Sequence, residues 1–223
     1  MASFVFIDAR VAAIDSLLTG LTEDVRVNIL DATQDGISQI AQALQGITDL
    51  DAIHIISHGS AGTLYLGNTV LNQYNLADYR TGLSQIGASL SVNGDILFYG
   101  CNVAAGATGQ NFIEQLARVT GADVAASTDL TGATALGGDW VLETSVGSIE
   151  ASVPINFATQ AAYASTLDVN VFQKFGADTV KAMAALSEYA YDRTASLYEK
   201  LPWIISTTLP AALTGLAGHY PTA

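Results

Sequence analysis

Two apolar runs of strand length constrain this chain more than any other feature. Asp51-Ala-Ile-His-Ile-Ile-Ser57 runs straight into His58-Gly59, and Asp95-Ile-Leu-Phe-Tyr99 runs into Gly100-Cys101-Asn102. Short continuous apolar runs bounded by turn residues suit strands covered on both faces, the environment of a parallel sheet. Parallel neighbours end at the same edge, and adjacent strands lie about 4.8 Å apart. Side chains one or two residues past both ends can then reach a shared substrate atom.

The chain around them reads as alternating strands and helices. Ser3 to Ile7 is a buried strand ending at Asp8, Val11 to Leu18 a short helix stopped at Gly20, and Val25 to Leu30 a second strand. Asp35-Gly36 opens a helix with Ile37, Ile40, Ala41 and Leu44 on one face, and Gly46 ends it. After His58, the runs Leu64 to Leu66 and Val70-Leu71, punctuated by Gly62 and Gly67-Asn68, signal a hairpin. A helix is expected from the spacing of Leu76, Tyr79, Leu83, Ile86 and Leu90, then a turn at Asn93-Gly94 into the strand that delivers Cys101. A Gly-rich loop over 100–109 leads to a helix with Phe112, Ile113 and Leu116 on one face, ended by Gly121, and to a strand over 122–126. Residues 139–143 and 148–151 have hairpin character and are expected to form antiparallel edge strands. The alternation argues for βαβ units, right-handed crossovers and a mainly parallel sheet.

Past residue 166 the pattern changes. Phe172, Phe175, Met183, Leu186 and Leu197 share one face of an amphipathic helix expected over 170–200. Residues 201–218 carry no charge and have the length of a membrane span, but Pro202, Pro210, Gly215 and Gly218 interrupt them and argue against one. The expected organisation is an α/β domain over 1–166 and a helical extension, or the start of a neighbouring region, over 167–223.

Composition excludes several function classes. Eight Lys+Arg against 21 Asp+Glu give a net charge of −13, which disfavours nucleic acid and anionic membrane surfaces as partners. A single cysteine excludes an internal disulfide framework and a Cys-rich zinc site. The first ten residues lack the basic segment and apolar core of a signal peptide, so the expected location is the cytoplasm or a route of export, to the cell surface or medium, that does not read such a signal. No Gly-rich phosphate loop or Gly-x-Ser-x-Gly elbow occurs, and no cofactor or metal is expected. His54 reads as a core histidine: a metal site from His54, His58 and Asp51 would need ligands on alternate faces of one strand.

The lone Cys101 is either a small buried hydrophobe or a nucleophile. In an open parallel sheet, ligands bind outside the carboxyl ends of the strands, where both His58 and Cys101 would lie. Acyl transfer by a thiolate needs a proton donor for the leaving amine and N–H groups for the oxyanion. His58 is the candidate donor, and the backbone N–H groups of Gly59 and Cys101 are the candidate oxyanion hole.

At these residues the chain resembles the caspase-like cysteine peptidases, in which one apolar strand ends in His-Gly and a later one in Cys. More narrowly, Ile-Ser-His-Gly-Ser, Leu-Phe-Tyr-Gly-Cys-Asn-Val-Ala and Ala-Ser-Thr-Asp-Leu-Thr-Gly…Gly-Gly-Asp-Trp-Val-Leu-Glu resemble a bacterial domain at the N-terminus of large surface or secreted proteins with cadherin-like and calcium-binding repeats. The resemblance covers 1–166. It implies a caspase-like three-layer α/β/α sandwich, mainly parallel with antiparallel edge strands, with His58 as general acid/base and Cys101 as nucleophile, acting on a peptide or protein substrate. Departures are visible. Arg/Lys-specific relatives carry an Asp where Tyr99 stands, and caspases carry Gln-Ala where this chain has Tyr99-Gly100. Asp129, in the loop after the fifth strand, is a candidate to line a pocket for a basic P1 residue; its plainer reading is a turn or helix-cap aspartate. Many relatives mature by cleavage in the loops after the fourth and fifth strands. Here 102–111 contains no charged residue and 127–138 only Asp129, which argues against self-maturation at a charged residue there. Two functions follow: a cysteine endopeptidase, or a non-catalytic binding or assembly module that keeps the fold, which a buried Cys101 sulfur would favour. Oligomeric state has no sequence signal.

Overall fold

The computed structural model describes residues 2–22 and 25–169. The chain divides into two compact units, Met1–Asp168 and Val169–Ala223. The helix expected over 170–200 and the uncharged stretch 201–218 lie outside the described residues. Among the described residues, no helix is long and apolar enough to cross a membrane.

A six-stranded sheet forms the centre. Its strands are β1 (Ser3–Asp8), β2 (Val25–Leu30), β3 (Leu50–Ile56), β7 (Leu90–Tyr99), β8 (Asp123–Ala126) and β9 (Thr144–Val146), in the order β2-β1-β3-β7-β8-β9. All pairings are parallel except β8 with β9 at the edge. A small antiparallel sheet of β4 (His58–Ser60), β5 (Thr63–Leu66) and β6 (Thr69–Asn72) is the hairpin excursion after β3.

Strand order and the right-handed crossover together decide the layers. The step from β1 to β2 goes outward one way, through α1 (Ile14–Thr19). The steps β2 to β3, β3 to β7 and β7 to β8 all go the other way, through α2 (Gly36–Ala43), α3 (Arg80–Gly87) and α4 (Gly106–Thr120). Those three helices therefore cover one face, where Ile37, Ile40, Leu83, Ile86, Phe112, Ile113 and Leu116 form one core with Phe4, Phe6, Ile53, Ile55 and Phe98. On the other face Leu17 of α1 and Trp140, Ile155, Tyr163 and Leu167, which flank α5 (Phe157–Ala162), pack with Val5, Ile7, Ile56, Leu97 and Tyr99. Each fully buried Leu, Ile or Phe contributes about 1.5–3 kcal/mol relative to an exposed one. The result is a three-layer, mainly parallel α/β/α sandwich with an antiparallel edge strand.

Local signals act as expected at several ends. Asp35 caps α2 by accepting from Ser38 N–H at 2.7 Å, and Gly121 ends α4 in the left-handed conformation at φ +73°. Two expectations are corrected. The helix expected through Leu76–Leu90 is only Arg80–Gly87: Leu76 is buried from a turn, and Leu90 already belongs to β7, so Asn93-Gly94 lies within the strand. The stretch 139–143 is not a strand; Trp140 is buried from an irregular segment, and only Thr144–Val146 joins the sheet.

Candidate functional site

β3 and β7 are adjacent, and their register pairs Ile56 with Tyr99. His58 and Cys101 are thus each two residues beyond the same rung of the ladder, and Ser57 N–H donates to Tyr99 C=O at 3.0 Å to extend it. The chains then pass unusually close. A Cβ on Gly59 would lie 2.6 Å from Val103 Cγ2 and 3.0 Å from Cys101 C=O, and one on Gly100 would lie 2.9 Å from Ser57 C=O. The two glycines beside the reactive residues exist for this approach.

His58 is buried, and its Nε2 donates to the Arg10 carbonyl at 3.2 Å. A carbonyl only accepts, so Nε2 carries the hydrogen and the neutral ring holds its lone pair on Nδ1. The Arg10 carbonyl is itself held in place. Asp8, fully buried at the end of β1, accepts from Arg10 N–H at 2.9 Å, from Arg10 Nε and Nη2 at 2.8 and 2.9 Å, and from Gly67 N–H at 2.6 Å. This forked pair fixes the loop at the point where the strand order reverses between β1 and β3. Sequence reasoning did not find the Asp8–Arg10 support; its only trace is an acidic residue ending a buried strand with Arg two residues later.

Cys101 is fully buried. Its thiol donates to Thr131 C=O at 3.6 Å, and its sulfur accepts from Thr131 N–H at 3.2 Å. Burial pushes the thiol up to about 11; Asp168 and Asp129 act in the same direction, opposed by the N–H groups of Thr131 and Leu167. The sulfur lies beneath the chain's own segment 165–168. Gly59 N–H, a candidate oxyanion donor, donates to Leu167 C=O at 3.2 Å. Leu167 N–H donates to Thr131 C=O at 2.9 Å, and Ala133 N–H to Ser165 C=O at 2.8 Å. Leu167 is fully buried in the apolar cluster that holds Tyr99, Cys101, Trp140 and Tyr163.

His54 sits in the core of β3 between β1 and β7, its ring stacked on Tyr99 at 6.1 Å. Its Nδ1 has no hydrogen-bond partner, and burial lowers its pKa to about 4. Asp129 is exposed, and it is the backbone carbonyl that serves the site loop, accepting from Asn102 N–H at 2.7 Å. Its carboxyl groups with those of Asp139 and Glu143 at the surface and is raised by desolvation and by these two neighbours. The other carboxylate group, Asp95, Asp123 and Glu150, is occupied with turns: Asp95 accepts from Glu150 and Ala151 N–H at 3.0 and 2.9 Å.

Comparison with known proteins gives one family. The model of the family described as "Domain of unknown function (DUF4347)" matches residues 4–167. No curated protein is similar to the chain. Among solved structures, the chain is similar to caspase-1 from Spodoptera frugiperda at 16% identity and a TM-score of 0.28, covering 47% of this chain and 48% of that one. It is also similar to a small-chain dehydrogenase at 9% identity and a TM-score of 0.29, covering 54% and 77%. At these scores neither likeness bears on the activity.

Proposed function

This chain belongs to the DUF4347 family, and we propose that it is a cysteine endopeptidase with Cys101 as nucleophile and His58 as general acid/base. The observation that carries this reading is the shared register: two functional side chains, each two residues past the paired Ile56 and Tyr99, at the carboxyl edge of a parallel sheet. In the proposed reaction His58 Nδ1 takes the thiol proton, Cys101 sulfur attacks the peptide carbonyl, and the N–H groups of Gly59 and Cys101 hold the oxyanion. His58 then returns the proton to the leaving amine, and water hydrolyses the thioester. The bond from Nε2 to Arg10 C=O orients the ring at the sheet edge, which supports this reading. The substrate class is an extended peptide or protein segment, and processing of a large surface or secreted protein is the proposed setting. The acidic charge makes nucleic acid and anionic membranes poor partners.

A second reading has its own support. A fully buried sulfur whose thiol is pushed up to about 11 is what a non-catalytic binding or assembly module would show. An irreversible peptidyl electrophile separates the two, because it accumulates product over every transient opening of the covering segment. Labelling of wild type that is lost in Cys101→Ala supports the peptidase. Equal labelling of the two, or none over hours at micromolar protein, supports the module.

A further inference from the structure

We propose that residues 165–168 are the site's own substrate and that the enzyme cleaves its chain between Leu167 and Asp168. This rests on the peptidase reading and adds to it the bond and the preferred side chain. The segment lies across the site as an extended peptide. Thr166 pairs antiparallel with Gly132, and Asp168 bridges in parallel to Gly59. Leu167 is held at both ends of its peptide unit, its N–H on Thr131 C=O and its C=O on Gly59 N–H. A carbonyl resting on a candidate oxyanion donor next to the candidate nucleophile is the arrangement of a bound acyl residue. The Leu167 side chain is fully buried in the apolar cluster that also holds Tyr99, Cys101, Trp140 and Tyr163. That lining selects Leu or Met on the acyl side and rejects a charge, in keeping with Tyr99 standing where Arg/Lys-specific enzymes carry Asp.

Gly132 supports the same conclusion. Its φ is +127°, and a Cβ there would lie 2.4 Å from Ser165 C=O and 3.0 Å from Thr166 Cα. The backbone of the loop after β8 is shaped to receive a strand at close range. The bond also falls at an edge of organisation, since the first compact unit ends at Asp168. Cleavage would release the domain from whatever follows it. In the step, the Cys101 thiol proton passes to His58, a C–S bond forms at the Leu167 carbonyl carbon, and the Leu167–Asp168 C–N bond breaks. The proton goes from His58 to the Asp168 nitrogen. Water then hydrolyses the thioester to the Leu167 carboxylate and regenerates the thiol.

The test is intact-mass spectrometry of the full chain over hours, comparing wild type, Cys101→Ala, Leu167→Glu and Leu167→Met, with a leucyl-peptide electrophile added in parallel. Wild type should yield fragments ending at Leu167 and beginning at Asp168, and Cys101→Ala should stay whole. Leu167→Glu should slow cleavage by at least about 100-fold, because a charge cannot enter the apolar lining, and Leu167→Met should restore it. The Glu side chain also keeps the segment from seating, so Cys101 in that variant should be labelled by the electrophile. A wild type that stays whole while Leu167→Glu is labelled at Cys101 overturns self-cleavage and leaves the peptidase standing. Neither cleavage nor labelling overturns both. Cys101-dependent cleavage at another bond, or cleavage at Leu167 that survives Cys101→Ala, overturns the assignment of this bond.

Discussion

At the scale of single residues, two buried titratable groups give the fold a pH signature. His54 is neutral in the native state, with its pKa lowered by burial to about 4. Between pH 6.5 and 4 the unfolded chain binds a proton that the native chain does not. Stability is therefore full above 6.5 and is lost as pH falls toward 4, by about 3 kcal/mol if the whole shift is realised. Urea unfolding at pH 7 and pH 5 should show this loss, and His54→Leu should flatten it. A slope unchanged in the variant would assign the acid sensitivity to other groups. Cys101 acts at the opposite end. With its thiol near 11, only on the order of 10⁻⁴ of it is thiolate at pH 7 in the closed state. Iodoacetamide at pH 8 should react far more slowly with the native chain than with the chain unfolded in urea; equal rates would mean an exposed thiol.

Much of the residue scale was legible beforehand, because a buried strand that stops at His-Gly or Gly-Cys announces where its functional group emerges. Asp8 and Arg10 were not legible: their pairing, and the support it gives His58 through a backbone carbonyl, depends on β1 lying next to β3. Asp129 meets the site loop through its backbone, its carbonyl accepting from Asn102 N–H while the side chain is exposed, a pairing that depends on the fold and leaves no local sequence signal.

At the scale of elements, the segment 165–168 decides whether the site is closed. It was invisible in the sequence because Ser165, Thr166, Leu167 and Asp168 are too few for a periodicity, and their hydrogen bonds are long-range backbone pairings. The helix α3 was overread for a related reason: Leu76 and Leu90 keep helical spacing with Leu83 and Ile86, yet they reach the same core from a turn and a strand. A variant isolates the covering segment without touching it. Gly132→Ala places a Cβ 2.4 Å from Ser165 C=O at a φ of +127°, a strain of about 1–3 kcal/mol. It should loosen 165–168 and raise the rate of Cys101 alkylation at pH 8 by roughly tenfold or more, in proportion to the open population that the strain creates. An unchanged rate would show that the sulfur is buried by something other than this segment.

At the scale of the whole molecule, the sheet order and the hand of its crossovers bring three loops to one edge: Arg10 after β1, His58 after β3 and Cys101 after β7. This level was the most legible, since alternating strand and helix patterns leave few topologies once crossovers are right-handed. Asp8, the Arg10 carbonyl and the paired glycines support a histidine and a cysteine that would otherwise be two isolated polar groups in an apolar edge. The proposed peptidase activity stands or falls with this edge. The most direct measurement is cleavage of a peptide library by the full chain carrying Leu167→Glu, whose own segment cannot fill the site, with and without Cys101→Ala. The expected result is cleavage after Leu or Met that disappears with the cysteine. Cleavage unaffected by Cys101→Ala, or none in a folded Leu167→Glu chain, would contradict it.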